Sequence, residues 1–326
     1  GQPLVWSCRQ RMRPQVRGIL IDDRGEFWSE AAPILRMSFA PSRSSDGLAA
    51  YLVRNLGFCA IDAFGHSCQV RFRPDLTTAE TVETVDRWLR SNKYERIALA
   101  TLGSDRHLEL CASTDTAVAR IAELIQASGH RRCDNFIARP RDLTTVDQYP
   151  AFATLTENWN LLTRQINPAK LSRMVSQMTG GRFVVAAPEP GGERLILQGA
   201  GSGYKTLDRK WALEARGAPI EDQADQSYGR WVASGYERVL KEGAPIIEDV
   251  DAIVATPEYG RYRIRYTRYM LPYRDDEQTW LLSSSLLDDR IDLRLDRVSE
   301  NTGVTRMVGA AKPTGQVGEQ MAVVHP

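Results

Sequence analysis

Two cysteines, a histidine and an aspartate lie close together in the first third of the chain and are its best candidates for nucleophilic chemistry. Cys59 or Cys68 would supply the thiol, His66 the base, and Asp62 the group that orients the base. These residues flank one glycine turn, so Asp62 and His66 are expected to approach each other. The alternative is that His66 is simply a solvated side chain beside a hairpin turn. No group that would stabilise an oxyanion is recognisable in the sequence, as catalysis by a thiol would need. We therefore favour a protein that is not an enzyme and keep an N-terminal active site as the alternative.

A glycine-rich run, Gly199–Tyr204, and a serine triplet, Ser283–Ser285, invite comparison with known catalytic motifs. The run has Tyr204 where a dinucleotide fingerprint needs its last glycine, and no Lys-Ser/Thr pair follows as in a Walker loop. The triplet lacks a Gly-x-Ser-x-Gly frame and falls in mid-strand. Both are interpreted as structural, and the glycine run is predicted to be a flexible turn.

Metal chemistry is not indicated, because the cysteines and histidines are few and scattered. The five cysteines include no CxxC pair, so neither a zinc site nor a disulfide framework is suggested. Cysteines without this pairing fit a reducing compartment, and the cytoplasm is the expected location. No window of eighteen apolar residues occurs, so no membrane-spanning helix is expected.

The composition indicates ordinary folded domains without a charge-driven partner. The chain has 326 residues, of which 42% are hydrophobic and 25% charged, enough for two domains with their own cores. Its 42 basic side chains are matched by 41 acidic ones, and neither half of the chain is strongly basic. This balance argues against a protein that binds nucleic acid.

Residues 1–145 are predicted to form a small α+β domain of unknown role. Apolar periodicity predicts three helices and two strand pairs, each pair joined across a glycine, Gly65 or Gly103. Thr77 and Glu80 have the spacing of a capping box that would open the second helix. A shift of 38 residues lays one glycine on the other, so an internal helix-β-β repeat and chance similarity both stay open.

The rest of the chain is predicted to contain a helical linker, a second domain and a tail. The linker spans residues 146–180, the domain 181–292, and the tail, predicted to be disordered, 293–326. In the second domain, two strands are followed by short helical turns, one longer helix and three more strands.

Several phrases in this half resemble a PAS subfamily common in alphaproteobacteria. They are DQSYGRWV at Asp225–Val232, EGAP at Glu242–Pro245, and RYTRYMLPY at Arg265–Tyr273, an aromatic, arginine-studded strand that runs into Leu-Pro. The resemblance covers roughly residues 150–292 and says nothing about the first 145. It implies a five-stranded antiparallel sheet with helices on one face and a pocket between the sheet and the longer helix. The predicted fold class is therefore α+β, a PAS-like sheet with flanking helices plus the smaller N-terminal domain.

The resemblance implies a sensory or regulatory protein. Such a domain would bind a small organic ligand or a partner protein and signal through the linker helix, between about Thr154 and Met178. The apolar stripe of that helix also predicts a homodimer. The alternatives are an enzyme whose N-terminal domain is regulated by the PAS-like domain, and a dimerisation scaffold that binds no ligand.

Strand alternation predicts which side chains would face a pocket. Along residues 261–271, alternate side chains point to one face and the others to the opposite face. The candidates for the pocket are aromatic or apolar: Tyr204, Tyr228, Trp231, Tyr236, Tyr262, Ile264, Tyr266, Met270 and Trp280. The same residues could instead fill a packed core, and the sequence favours that interpretation because aromatic stripes at strand spacing usually pack.

The cofactor is unknown, but the sequence lacks the residues that a cysteine-linked flavin or a haem would need. No cysteine follows Cys133, which excludes a cysteine-linked flavin in the PAS-like half. No histidine lies in that half to ligate a haem, because only His325 follows His130. A noncovalent organic ligand, a partner protein, or no ligand stays possible.

The opposite face of the same strand carries arginines. These arginines, together with Arg268 of the first face, could bind an anionic ligand or partner, and they are Arg261, Arg263, Arg265 and Arg268. The sequence favours a solvated face balanced by neighbouring carboxylates such as Glu248, Asp249 and Asp251.

Overall fold

Alternating apolar residues in the sequence form strands, and apolar residues at helical spacing form the helices that cover them. The computed structural model describes residues 18–40, 47–103, 106–129, 134–161, 168–192, 194–203, 214–257, 260–274 and 278–295, except for the side chains of 161 and 168–172. Two six-stranded sheets and their helices lie within these ranges. The α+β class is confirmed.

The first sheet has the strand order β2-β1-β3-β4-β5-β6. Its strands are β1 (Ile19–Ile21), β2 (Phe27–Ser29), β3 (Cys59–Phe64), β4 (Ser67–Phe72), β5 (Arg96–Thr101) and β6 (Leu108–Cys111). The helices are α1 (Pro33–Phe39), α2 (Leu48–Leu56), α3 (Ala79–Asn92) and α4 (Thr114–Ser128). Neighbouring strands are antiparallel except β4 and β5, which are parallel because α3 carries the chain back between them.

The predicted helix ends are mostly correct, with one shift at α3. Helix α2 ends at Gly57, whose φ of 71° is the left-handed conformation that glycine adopts readily. Helix α3 is capped by Thr78 rather than Thr77, and the Thr78 side chain accepts from the backbone N–H of Thr81. Thr77 is not available for this role because its hydroxyl donates to the Arg73 carbonyl at 2.7 Å.

The two hairpins of the possible repeat are β3–β4 and β5–β6. Their first strands bury equivalent positions, but their second strands do not. At a shift of 38 residues, Ile61 corresponds to Leu99, and both pack against α3 and α4. The same shift lays Val70, which is fully buried, on Leu108, which is 71% exposed. The second strands therefore present opposite faces at equivalent positions.

The second sheet has the order β7-β10-β11-β12-β8-β9 and is antiparallel throughout. Its strands are β7 (Phe136–Pro140), β8 (Phe183–Pro188), β9 (Leu195–Ala200), β10 (Ile246–Thr256), β11 (Gly260–Arg274) and β12 (Thr279–Leu287). A 3₁₀ helix (Leu143–Gln148) and the helices α5 (Pro150–Leu161), α6 (Pro168–Met178) and α7 (Gln226–Glu242) accompany them.

The sheet contains one strand more than the five that the resemblance implies. Strand β7 pairs with β10 at the edge of the sheet, so the expected five strands are extended to six. The sequence pattern missed β7 because its side chains are only partly buried and it ends in Arg139-Pro140, residues that suit an edge strand. The domain limits at residues 145, 180 and 292 stay predictions.

Helices cover both faces of this sheet, whereas the resemblance implied one. Helix α7 packs through Val232 and Val239 on the face that carries Met270. Helices α5 and α6 pack on the opposite face, which carries Tyr269 and Leu271, because that face is apolar too and needs cover. Leu155, part of the stripe expected to form a dimer, is fully buried in this contact. The homodimer itself stays a prediction.

Candidate ligand-binding site

A cavity of about 110 Å³ lies between α7 and the second sheet. One wall is the inner face of β11, where strand alternation brings Tyr262, Ile264, Tyr266 and Arg268 to the same side. The facing wall is α7, on which Tyr228, Val232 and Tyr236 recur every four residues and so share one helix face. Apolar side chains also line the cavity at Val184, Ala224 and Val254.

The candidate residues separate into those that line the cavity and those that do not. The lining contains Tyr228, Tyr236, Tyr262, Ile264 and Tyr266. The others lie elsewhere. Trp231 lies beside the cavity, stacked on Tyr228 at 5.9 Å between ring centroids. Met270 is fully buried in the core under α7, and Trp280 packs with the core on the opposite face. Tyr204 lies outside the described residues.

Two of these tyrosines form a buried hydroxyl pair. The hydroxyl oxygens of Tyr228 and Tyr266 lie 2.6 Å apart. Burial raises the pKa of both, and the nearby Arg268 opposes this rise. Both hydroxyls therefore stay protonated at neutral pH. One hydroxyl donates to the other, which leaves the second hydrogen for a further acceptor.

Arg268 is the buried cation of the cavity wall. Its side chain is 4% exposed, and its Nε donates to Glu248 Oε1 at 2.5 Å. Glu248 is itself buried and also accepts from Arg238 at 2.9 Å. The guanidinium lies over the Trp231 ring at 4.8 Å, while its Nη1 has no hydrogen-bond partner. A Cβ at Gly235 would lie 2.8 Å from Arg268 Nη2, so a larger residue there would have to displace the guanidinium.

The remaining polar lining residues were not predicted from the sequence. They are Arg182, Gln223, Asp225, Thr256, Ser283 and Ser285. Asp225 caps α7 by accepting from the N–H groups of Ser227 and Tyr228, and it also accepts from Ala255. Strand alternation on β12 is the signal that indicates the serines, because it places Ser283 and Ser285 on one face of the sheet.

The arginines on the outer face of β11 are buried, so the prediction of a solvated face is wrong. Arg263 binds Asp251 through two hydrogen bonds, of 2.7 and 2.5 Å, and also reaches Asp292 at 2.9 Å. Arg261 pairs with Asp22 and Asp23 beside β1. The N-terminal half packs over this face and excludes water from it, so these charges are balanced inside the protein.

The thiol constellation of the N-terminal half is not assembled. Asp62 accepts from Arg71 at 3.0 Å instead of meeting His66, whose ring lies 3.9 Å from Glu95. Burial raises the pKa of both the Cys59 and the Cys68 thiol to about 12. A nucleophilic cysteine needs the opposite shift, because the thiolate is the reactive form.

The part of the glycine run that the structure describes, residues 199–203, makes close backbone contacts. The N–H of Gly201 donates to Phe183 and that of Gly203 to Gly181, both at 2.9 Å. A Cβ at Gly201 would lie 1.9 Å from the Gly181 carbonyl oxygen, so only glycine fits. These two N–H groups are therefore engaged and do not form a phosphate cradle.

Metal-binding clusters and membrane-spanning helices are both absent from the described ranges. Within them, no group of three or more His, Cys, Asp or Glu side chains is placed to hold a metal ion. Across the same residues, no helix combines the length and apolarity needed to cross a bilayer.

Among solved structures, the chain is similar to light-oxygen-voltage photoreceptors. A mutant of Vivid is 11% identical with a TM-score of 0.26, over 33% of this chain and 82% of that one. The LOV domain of Aureochrome1 is 11% identical with a TM-score of 0.27, over 38% and 85%. An RNA-binding LOV receptor is 13% identical with a TM-score of 0.29, over 53% and 44%. No family model and no curated protein matches the chain.

Proposed function

We propose that the C-terminal half is a PAS-type sensory module and that the cavity between α7 and β11 binds a small organic molecule. The order of elements implied by the PAS resemblance is present, with β8 and β9, the longer helix α7, and then β10 to β12. The observation that carries the proposal is the cavity. Its volume of about 110 Å³ far exceeds the roughly 10–15 Å³ that one water needs.

The proposed signal runs through β11, whose two faces serve different parts of the protein. Tyr266 and Arg268 line the cavity, while Tyr269 shares a hydrogen bond of 2.8 Å with Thr156 of α5. Further along the same strand, Arg261 and Arg263 bind the N-terminal half. A ligand that moves the inner face of β11 would therefore shift both contacts, because neighbouring residues of one strand move together. The homodimer and a separate signalling partner are part of this proposal.

Native mass spectrometry and an absorbance scan of the purified full chain test the proposal first. Added mass that is lost on denaturation would identify a bound molecule. A thermal-shift screen against small metabolites is the second arm. The proposal expects at least one compound to raise the melting temperature.

A cavity-filling variant shows whether such a compound binds in this place. Val232→Phe adds bulk to the α7 wall and should abolish the shift. The matched control is Ser234→Phe on the same helix, whose residue is exposed and should leave the shift intact. No added mass and no shift with any compound would favour the scaffold alternative. A shift that survives Val232→Phe would place the ligand elsewhere.

A further inference from the structure

We infer that the cavity recognises the carboxylate of a small, otherwise apolar acid, with Arg268 as the residue that selects it. This inference rests on the proposed function, because it concerns the ligand of the same cavity. Three observations support it: the charges that line the cavity, the hydrogen-bond donors there, and the apolar remainder of the wall.

The charges of the cavity wall favour an anion. Arg182 and Arg268 both line it, whereas Asp225 is the acidic residue of the lining. The Asp225 carboxylate accepts from three backbone N–H groups, so it already has partners and offers little to a cationic ligand. Glu248 lies behind the wall and is shared between Arg268 and Arg238. One carboxylate therefore serves two guanidinium groups, and a second anion would restore the balance.

The polar side chains of the cavity lining are rich in hydrogen-bond donors. Arg268 directs Nε and Nη2 to Glu248, and its Nη1 is buried without a hydrogen-bond acceptor. An unsatisfied buried donor costs stability, and an acceptor supplied by a ligand would remove that cost. The pair of Tyr228 and Tyr266 holds one further hydroxyl hydrogen to donate. Ser283 and Ser285 bring hydroxyls to the same lining.

A carboxylate fits these groups better than a phosphate. The planar guanidinium can pair with two oxygens of either anion, so the rest of the site has to distinguish them. Phosphates in proteins often bind at helix N-termini, but at α7 that position is taken by the side chain of Asp225. The wall is also apolar at Val184, Val254 and Ile264, so the part of the ligand that meets these side chains should be hydrocarbon. A short aliphatic or monocyclic acid meets both requirements.

Matched acids and amides test the inference on the full chain. Benzoate and hexanoate are titrated by calorimetry beside benzamide and hexanamide, with inorganic phosphate as a separate probe. The acids should bind about 10- to 100-fold more tightly than the amides of the same shape. Equal affinity for acid and amide would overturn the inference, as would phosphate binding that Val232→Phe abolishes. The comparison of each acid with its amide uses the wild-type chain alone.

Variants then assign the selectivity to Arg268. Arg268→Lys keeps the positive charge opposite Glu248 but loses the planar guanidinium. It should reduce the ratio of acid affinity to amide affinity about tenfold or more. Arg290→Lys is the control, because its side chain is 88% exposed and does not line the cavity. An unchanged acid preference in Arg268→Lys would overturn the role of this residue.

The failure of this inference can be told apart from the failure of the proposed function. Binding of amides or other neutral compounds that Val232→Phe abolishes would leave the sensor proposal standing and exclude acid selectivity. Absence of binding by every acid and neutral compound would count against both.

Discussion

Arg261 on β11 and Asp23, in the turn between β1 and β2, form an ion pair across 238 residues of sequence. Arg261 Nη2 donates to Asp23 Oδ2 at 2.8 Å, and the Arg261 side chain is only 4% exposed. Its Nη1 also reaches Asp22, which is fully buried. Tyr262, the residue that follows Arg261 on β11, lines the cavity. The strand therefore contacts the N-terminal half at one position and the cavity at the next.

Replacing Arg261 with methionine should lower the free energy of unfolding by about 3 kcal/mol, since two aspartates would lose their cationic partner in a buried setting. Urea denaturation followed by tryptophan fluorescence measures this. The control Arg290→Met removes an exposed guanidinium and should change the stability by less than about 0.5 kcal/mol. A loss for Arg261→Met no larger than that of the control would show that the pair does not hold the two parts together.

Asp251 should make the protein sensitive to acid. Burial acts to raise its pKa, but the guanidinium groups of Arg263 and Arg294 outweigh burial and hold the pKa below its ordinary value. A carboxyl whose folded pKa is lowered stabilises the protein above its unfolded pKa, about 3.9, and loses that effect as pH falls through the folded pKa. Urea unfolding of wild type and Asp251→Asn between pH 7 and pH 2.5 measures this. The difference in stability between them should shrink below about pH 4, and a constant difference would contradict the assignment.

The buried thiols should resist alkylation in the folded protein. With a pKa of about 12, Cys59 and Cys68 are thiolates at only about one part in ten thousand at pH 8. Iodoacetamide labelling read out peptide by peptide in a mass spectrometer should leave both unmodified in buffer and modify both in guanidinium chloride. Rapid labelling of either thiol in buffer would revive it as a candidate nucleophile.

Leu155 tests whether α5 is a packed part of the sheet domain. Its side chain is fully buried in the core with Phe152 and Tyr269, so Leu155→Ala should cost about 2–5 kcal/mol of unfolding free energy. Glu157→Ala, at an exposed position of the same helix, should cost little. Thermal unfolding at several protein concentrations separates packing from self-association. If Leu155→Ala lowers the stability only at protein concentrations where a dimer forms, the apolar stripe of α5 would instead belong to a dimer interface.

Local pattern was enough to predict the elements that build the cavity. Alternation along β11 places Tyr262, Ile264 and Tyr266 on one face, and all three line the cavity. Helical spacing likewise brings Tyr228 and Tyr236 together on α7. The face on which each of these side chains lies follows from the period of a strand or helix, which is a property of the backbone itself.

Tertiary structure alone decided what each face meets. The pattern could not show that Arg261 is buried against Asp23, because their contact depends on packing between distant segments. It also missed β7, a half-exposed edge strand with a weak apolar signal. The cavity has the same origin. Whether aromatic residues at strand spacing fill a core or line a cavity depends on how closely α7 approaches the sheet. That distance is set by the packing contacts along the whole length of the helix.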